Sequence, residues 1–251
     1  MTFKSLHHRQ QPLVLANVWD VQSAIVAERQ GFAALGTSSA AISAVNGLAD
    51  GGNLTPEYIL KLAQSILTNV DIPLSVDIEH GYFTNAKAIA EFVVELARVG
   101  VQGINIEDST VSDGTRSLRS ITEFSAMLHC IQHQLKRHQL DIFLNARIDT
   151  YLVETKNVEV ETAKRVVAYE NSGADGLFIP LLPLEQAKAV KALSSLPLNL
   201  LCNTENYADT VPYLRYVNRV SFGNYLYDHA MAAYRGSLKD ITAFFNNNQL
   251  G

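Results

Sequence analysis

Cysteine is scarce: Cys130 and Cys202 are the two among 251 residues. They are far apart and without metal-ligand spacing, which excludes a disulfide framework and a zinc cluster and leads us to expect reduced thiols in a cytoplasmic protein. Basic residues are also in deficit. Twenty Lys and Arg against 25 Asp and Glu give a net charge of −5, so the basic stripe that binds a phosphate backbone is missing and no nucleic-acid partner is expected. The first ten residues have no apolar signal core, and no uninterrupted apolar run is long enough for a membrane span. No membrane contact is expected. No Pro/Gly/Ser-rich linker divides the chain, so one domain over residues 1–251 is expected.

Three further absences narrow the chemistry. The first apolar run, Leu13-Val-Leu-Ala-Asn-Val18, continues into Trp19 and Asp20 without a glycine, which excludes a dinucleotide-binding turn. A phosphate-binding P-loop is missing as well. No lysine falls at the end of a predicted strand, so imine catalysis of the aldolase kind is excluded.

Hydrophobic residues make up 47% of the chain and charged ones 18%, enough for a large core. Short apolar runs at 13–18, 34–38, 103–108, 143–149, 177–180, 198–202 and 219–223, together with the run after Pro73 that ends in Asp77 and Glu79, read as eight strands. Segments with helical apolar spacing separate them. Thr55-Pro56-Glu57 opens one helix, a long last helix starts near Tyr225, and residues 246–251 read as a frayed end. The polar stretch 109–120 lacks apolar periodicity and reads as a mobile loop. Eight alternating βα units in one domain predict an α/β fold, a parallel (β/α)8 barrel of the TIM type.

Such barrels carry their sites at the C-terminal ends of the strands. Those ends deliver Ser38 and Ser39, Asp77 and Glu79, Glu107 and Asp108, then Asn145, Arg147 and Asp149, and the loop after the second strand adds Asp50. Two residues apart on a strand, Asp77 and Glu79 would share one face. Either they cap a helix and meet basic side chains, or with the other acids they hold a hard divalent ion, for which magnesium is the natural candidate. Several carboxylates beside one arginine favour the ion. Arg147 has two readings also: a forked grip on a substrate carboxylate or phosphoryl group, or a salt bridge to Asp149 or Glu107.

Four motifs in order, Ser-Val-Asp77-Ile-Glu79-His-Gly81-Tyr82, Gly103-Ile-Asn-Ile-Glu107-Asp108, Asn145-Ala-Arg147-Ile-Asp149 and Gly173-Ala-Asp-Gly-Leu-Phe-Ile-Pro180, resemble the isocitrate lyase and phosphoenolpyruvate mutase family. The resemblance implies a magnesium enzyme, with manganese as a substitute, that binds a small anionic 2-oxo acid and makes or breaks the bond to its third carbon through an enolate. It matches Asp77, Glu79 and Glu107 to the metal-holding acids, Asp50 to the acid of a gating loop, and Arg147 to the arginine that meets the substrate anion. Ser38, Ser39 and Ala40 match the segment around the substrate oxyanion. It also implies a homodimer or homotetramer whose last helix packs on a neighbouring subunit. Family lyases carry a cysteine motif after the fourth strand, and the mutases a lysine and an asparagine; residues 109–120 hold none of these, and Ser109, Thr110, Ser112, Asp113 and Arg116 are the available substitutes. Oxaloacetate-like substrates are therefore favoured over bulky tricarboxylates. A second reading is a non-catalytic binding or assembly protein that keeps the barrel and its anion pocket.

Overall fold

The computed structural model describes residues 2–51, 53–153, 155–203 and 207–248. Nine parallel strand segments form the main sheet: β1 (Leu13–Val14), β2 (Ala16–Val18), β3 (Leu35–Thr37), β4 (Leu74–Asp77), β5 (Gly103–Glu107), β8 (Phe143–Arg147), β9 (Gly176–Phe178), β10 (Leu198–Leu201) and β11 (Arg219–Ser221). Two more, β6 (Ser109–Ser112) and β7 (Thr115–Leu118), pair only with each other. The order β1-β11-β10-β9-β8-β5-β4-β3-β2 begins and ends on consecutive pieces of one strand, interrupted at Leu15. The sheet therefore closes into an eight-stranded barrel, as the alternation predicts. Asn17 Oδ1 fastens the seam by accepting from Phe222 N at 2.7 Å and Gly223 N at 3.1 Å.

The helices are α1 (Phe3–Leu6), α2 (Val21–Arg29), α3 (Ser39–Val45), α4 (Pro56–Leu67), α5 (Ala86–Arg98), α6 (Ile121–Arg137), α7 (Val158–Asn171), α8 (Ala187–Leu193) and α9 (Tyr225–Asn247). Their starts follow local chemistry. Thr55 caps α4 with Pro56 in its first turn, and Asp20 with Ser23 and Ser120 with Glu123 form reciprocal capping boxes on α2 and α6. Inward-facing aliphatics such as Ile89, Val93, Ile104, Leu144 and Leu177 are fully buried in one continuous core. No described helix is long and apolar enough to cross a membrane.

At the N-terminal end of the barrel, α1 acts as a plug. Phe3 meets Phe143 edge-on, and the His7 ring stacks on Phe143 with centroids 3.9 Å apart. A side chain at Gly103 or Gly176 would overlap the rings of Phe3 or Phe143. This end is sealed by aromatics, so a ligand must enter from the other.

Four details depart from expectation. The strand that was to carry both Asp77 and Glu79 stops at Asp77, and Glu79 has a left-handed φ of +50°. The serine-rich segment after β3 contains α3. Residues 207–216, expected as a helix, form a 3-10 helix with Pro212 inside it. The polar stretch 109–120 is an antiparallel hairpin. Its turn residues Asp113 and Gly114 both have positive φ, +49° and +73°, as a two-residue type I′ turn requires.

Candidate active site

At the C-terminal ends of the strands lies a cavity of about 280 Å³, lined among others by Ser39, Asp50, Asp77, Arg116 and Arg147. Ser38 and Ala40 also border it. Asp77, the last residue of β4, is the buried carboxylate that reaches the cavity wall. Its Oδ2 accepts from Ser39 Oγ at 2.8 Å, and its backbone N–H donates to Thr37 Oγ1 at 2.8 Å. Ser38 caps α3, and this places Ser39 in the helix's first turn, against Asp77.

Glu79 and Glu107 are each 2% exposed and lie behind the wall. The left-handed turn at Glu79 ends the strand's alternation, and the Glu79 N–H donates to Asp77 Oδ1 at 3.3 Å. Among the described residues no group of three His, Cys, Asp or Glu converges closely enough to cage a metal by itself.

Beneath the cavity, arginines answer the acids. Arg147 gives Nε to Asp149 Oδ1 at 2.6 Å, Nη2 to Asp149 Oδ2 at 3.3 Å and Nη1 to Glu107 Oε2 at 2.9 Å. Burial works against its charge, but Glu107, Asp149 and Asp77 outweigh it and hold the pKa above the ordinary arginine value. Arg116, from β7, gives Nη1 to Glu107, to Ser109 Oγ at 2.6 Å and to Asp149 Oδ2 at 2.8 Å. Burial still raises the pKa of Glu107, helped by Asp149 and Asp77 and opposed by the two arginines. Deeper in the barrel Arg219 is 2% exposed; burial lowers its pKa to about 9 and Asp77 resists the shift.

A second layer fixes these groups. Asp108 is fully buried and accepts from Asp149 N at 2.9 Å, Arg165 Nη1 at 2.7 Å and Tyr169 OH at 2.8 Å. It thereby pins the segment that presents Asp149 to Arg147. Asp50 stands at the rim, largely exposed as a residue, where partial desolvation of its carboxyl on the cavity side and the charge of Asp77 raise its pKa while Arg147 and Arg116 oppose them. Gly51 next to it has φ +107°, and a Cβ there would come within 2.9 Å of Val111 on the hairpin. The Asp50 loop and the hairpin thus meet over the cavity.

The structure brings Ser38, Ser39, Ala40, Asp50, Asp77 and Arg147 to one cavity and sets Glu79 and Glu107 behind it. For Arg147 it shows both salt bridges that the sequence left open, so its fork is turned on Asp149. Arg116, which the sequence offered only as one of several substitutes for the family's loop motif and with no role assigned, also lines the cavity. The signal was the Asp113-Gly114 pair: read as a hairpin turn, it sets Arg116 opposite Val111 in an antiparallel register, above Glu107.

Residues 3–242 match the phosphoenolpyruvate phosphomutase family. A protein of Paraburkholderia xenovorans named oxaloacetate decarboxylase is 29% identical over 240 residues, which cover 92% of this chain and 78% of that one. A crystallised protein of Burkholderia cenocepacia J2315 is 35% identical with a TM-score of 0.86, covering 95% of this chain and 97% of its own. The barrel also superposes on phosphonopyruvate hydrolase crystallised with oxalate and magnesium, with a TM-score of 0.83, 24% identity and coverage of 99% and 88% of the two chains. With four motifs, a closed barrel and a match along almost its whole length, the chain belongs to the phosphoenolpyruvate phosphomutase family.

Proposed function

We propose that the protein is a magnesium-dependent enzyme acting on a small 2-oxo acid or phosphonate, and that it cleaves or rearranges the bond to the third carbon. Oxaloacetate-like substrates are favoured. The observation that carries this reading is the cavity itself: one buried carboxylate, Asp77, faces it across from Arg116 and Arg147, all at the open end of the barrel. At about 280 Å³ it suits a four-carbon acid better than a tricarboxylate.

The donor set fits magnesium, which takes one or two carboxylates and keeps several waters. Asp77 would hold the ion directly, with Glu79 and Glu107 behind it acting through water; manganese would accept the same oxygens. When bound, such an ion supplies positive charge for the oxyanion that develops on a 2-oxo acid as the carbon bond breaks. The chain's own residues do the rest. Ser39 orients Asp77, and Ser38 and Ala40 border the space for the oxyanion. Arg147 supplies positive charge toward the substrate anion while anchored by Asp149, and Asp50 closes over the bound acid from the rim. The relative named oxaloacetate decarboxylase and the hydrolase crystallised with oxalate and magnesium support this choice of substrate and ion. Between 109 and 120 there is no cysteine to act as an acid, which favours decarboxylation or hydrolysis, where water can protonate the product.

We also propose a homo-oligomer. None of the side chains of α9 is buried, and Tyr234, Leu238, Ile241 and Phe245 form an exposed apolar stripe. Near its start, the barrel wall leaves an apolar groove lined by Val14, Val211, Val220 and Phe222. A second copy's α9 would cover one with the other.

Purified protein assayed with oxaloacetate, phosphonopyruvate, phosphoenolpyruvate and methylisocitrate tests the activity. Turnover of a small member of this set with magnesium, lost with a chelator, is expected; turnover indifferent to chelator would end the metal role. The second reading, a binding protein without catalysis, draws on the pairing of Glu107 and Asp149 with arginines, which compensates these acids without a metal. Asp77→Ala separates the two: an enzyme loses turnover and stays folded, whereas a metal-free binder keeps its ligand.

A further inference from the structure

Arg147, the arginine to which the resemblance assigns the substrate anion, has little left to give. Each of its three guanidinium nitrogens already meets a carboxylate oxygen of Asp149 or Glu107. A side-on forked contact through Nε and Nη2 would have to displace Asp149, a fully buried carboxylate held at its own backbone N–H by Asp108. That exchange is costly, because Asp149 would then be a buried charge with one partner fewer.

Arg116 is placed differently. It lines the same cavity, with 20% of its side chain exposed against 14% for Arg147. All its contacts with Glu107, Ser109 and Asp149 run through one nitrogen, Nη1. Among the described residues its Nε and Nη2 make no hydrogen bond, so one edge of the planar guanidinium is anchored and another is free. An arginine held at one nitrogen is still able to offer a two-nitrogen edge to a carboxylate or phosphonate. Burial lowers its pKa, but Glu107 and Asp149 outweigh that and hold it above the ordinary value, so the charge is secure.

We infer that Arg116 is the specificity-determining residue for the distal anionic group of the substrate, the carboxylate or phosphonate on the third carbon, while the side-on edge of Arg147 stays committed to Asp149. This rests on the proposed function and names the residue that chooses among its substrates. It also gives the hairpin a purpose. The type I′ turn at Asp113-Gly114 fixes the register that sets Arg116 opposite Val111, and Val111 leans on Gly51 next to Asp50. Arg116 and Asp50 therefore reach the cavity from two loops in mutual contact, one presenting positive charge and the other negative.

Two probes that differ in the distal group test this by calorimetry in the presence of magnesium: oxalate, which has no distal anion, and 3,3-difluorooxaloacetate, which has one. Arg116→Met should weaken the difluoro ligand by roughly ten- to a hundredfold, the range of a lost hydrogen bond between charged groups, and change oxalate by less than about threefold. Arg116→Lys keeps the charge and the contact with Glu107 but loses the free edge. It should bind oxalate as the wild type does and the difluoro ligand several-fold more weakly, and thermal melts will show whether both variants fold. Equal weakening of both probes in either folded variant, or no weakening of either, would overturn the inference and leave Arg116 a structural clamp. If the wild type binds neither probe, the 2-oxo acid reading itself fails, an outcome distinct from failure at Arg116.

Discussion

Asp108 is the residue whose loss should cost most without touching the cavity. It is fully buried and accepts three hydrogen bonds, from Asp149 N, Arg165 Nη1 and Tyr169 OH. Asp108→Asn keeps the shape but sets an amide N–H₂ where an acceptor stood, and it leaves Arg165 without its nearest carboxylate. Breaking a buried pair in this way costs about 3 to 5 kcal/mol. Arg165 retains Glu161 at 3.0 Å and the carbonyl of Arg119 at 3.0 Å, so the lower end, about 3 kcal/mol, applies. Tyr169→Phe removes one donor to the same carboxylate while the ring still packs 4.7 Å from Phe124, which should cost about 1.5 to 3 kcal/mol. Because both act on one network, the double variant should lose less than the sum. Urea unfolding of the four proteins, with unchanged slope as the check on two-state behaviour, measures this. A loss under about 0.5 kcal/mol for Asp108→Asn, the range of ordinary surface changes, would refute the reasoning, as would strict additivity.

Burial, and then the charge of Arg219, pushes the pKa of His7 down to about 3 from 6.5. The unfolded chain takes a proton here below 6.5 and the folded one does not, so this stability is complete above 6.5 and falls by about 1.4 kcal/mol per pH unit toward 3. His7→Phe should flatten that slope in denaturation series at several pH values. Arg147→Lys should lower stability by about 1 to 3 kcal/mol in melts, because an ammonium cannot keep the fork to Asp149; unaltered stability would show that the fork contributes nothing. Sedimentation should find an oligomer that dissociates when Leu238 or Phe245 on α9 is replaced by Asp, and a wild-type monomer would refute the helix exchange.

The architecture was legible because the physics that writes it is local. Apolar runs alternating with helical spacing gave the barrel, and Thr55-Pro56 marked a helix start that the structure keeps. The site was legible to the level of which residues share the open end, since strand ends set that. What the sequence did not announce was where β4 stops. The strand was expected to carry both Asp77 and Glu79, but the positive φ of Glu79 ends it at Asp77, a backbone event that the residue type does not foretell. The reading that crowded carboxylates favour a metal counted Arg147 and left Arg116 out of the charge balance. The hairpin that delivers Arg116 has no apolar face, so periodicity had nothing to detect, and its one mark was Asp113-Gly114. Asp108 looked like another acid at the mouth. Its partners Arg165 and Tyr169 lie far along the chain on α7, and pairing over that separation is not readable from one sequence.

The central claim is that Asp77 and a magnesium ion together hold a 2-oxo acid, and the most direct test is reciprocal calorimetry. Oxalate should be titrated with and without magnesium, and magnesium with and without oxalate, on the wild type and on Asp77→Ala. If the acid and the ion share one site, magnesium must tighten oxalate by the same factor as oxalate tightens magnesium, with a coupling of about 1 to 3 kcal/mol, and Asp77→Ala should abolish it while the protein stays folded. Oxalate binding that is indifferent to magnesium, or coupling that survives in Asp77→Ala, would contradict the account.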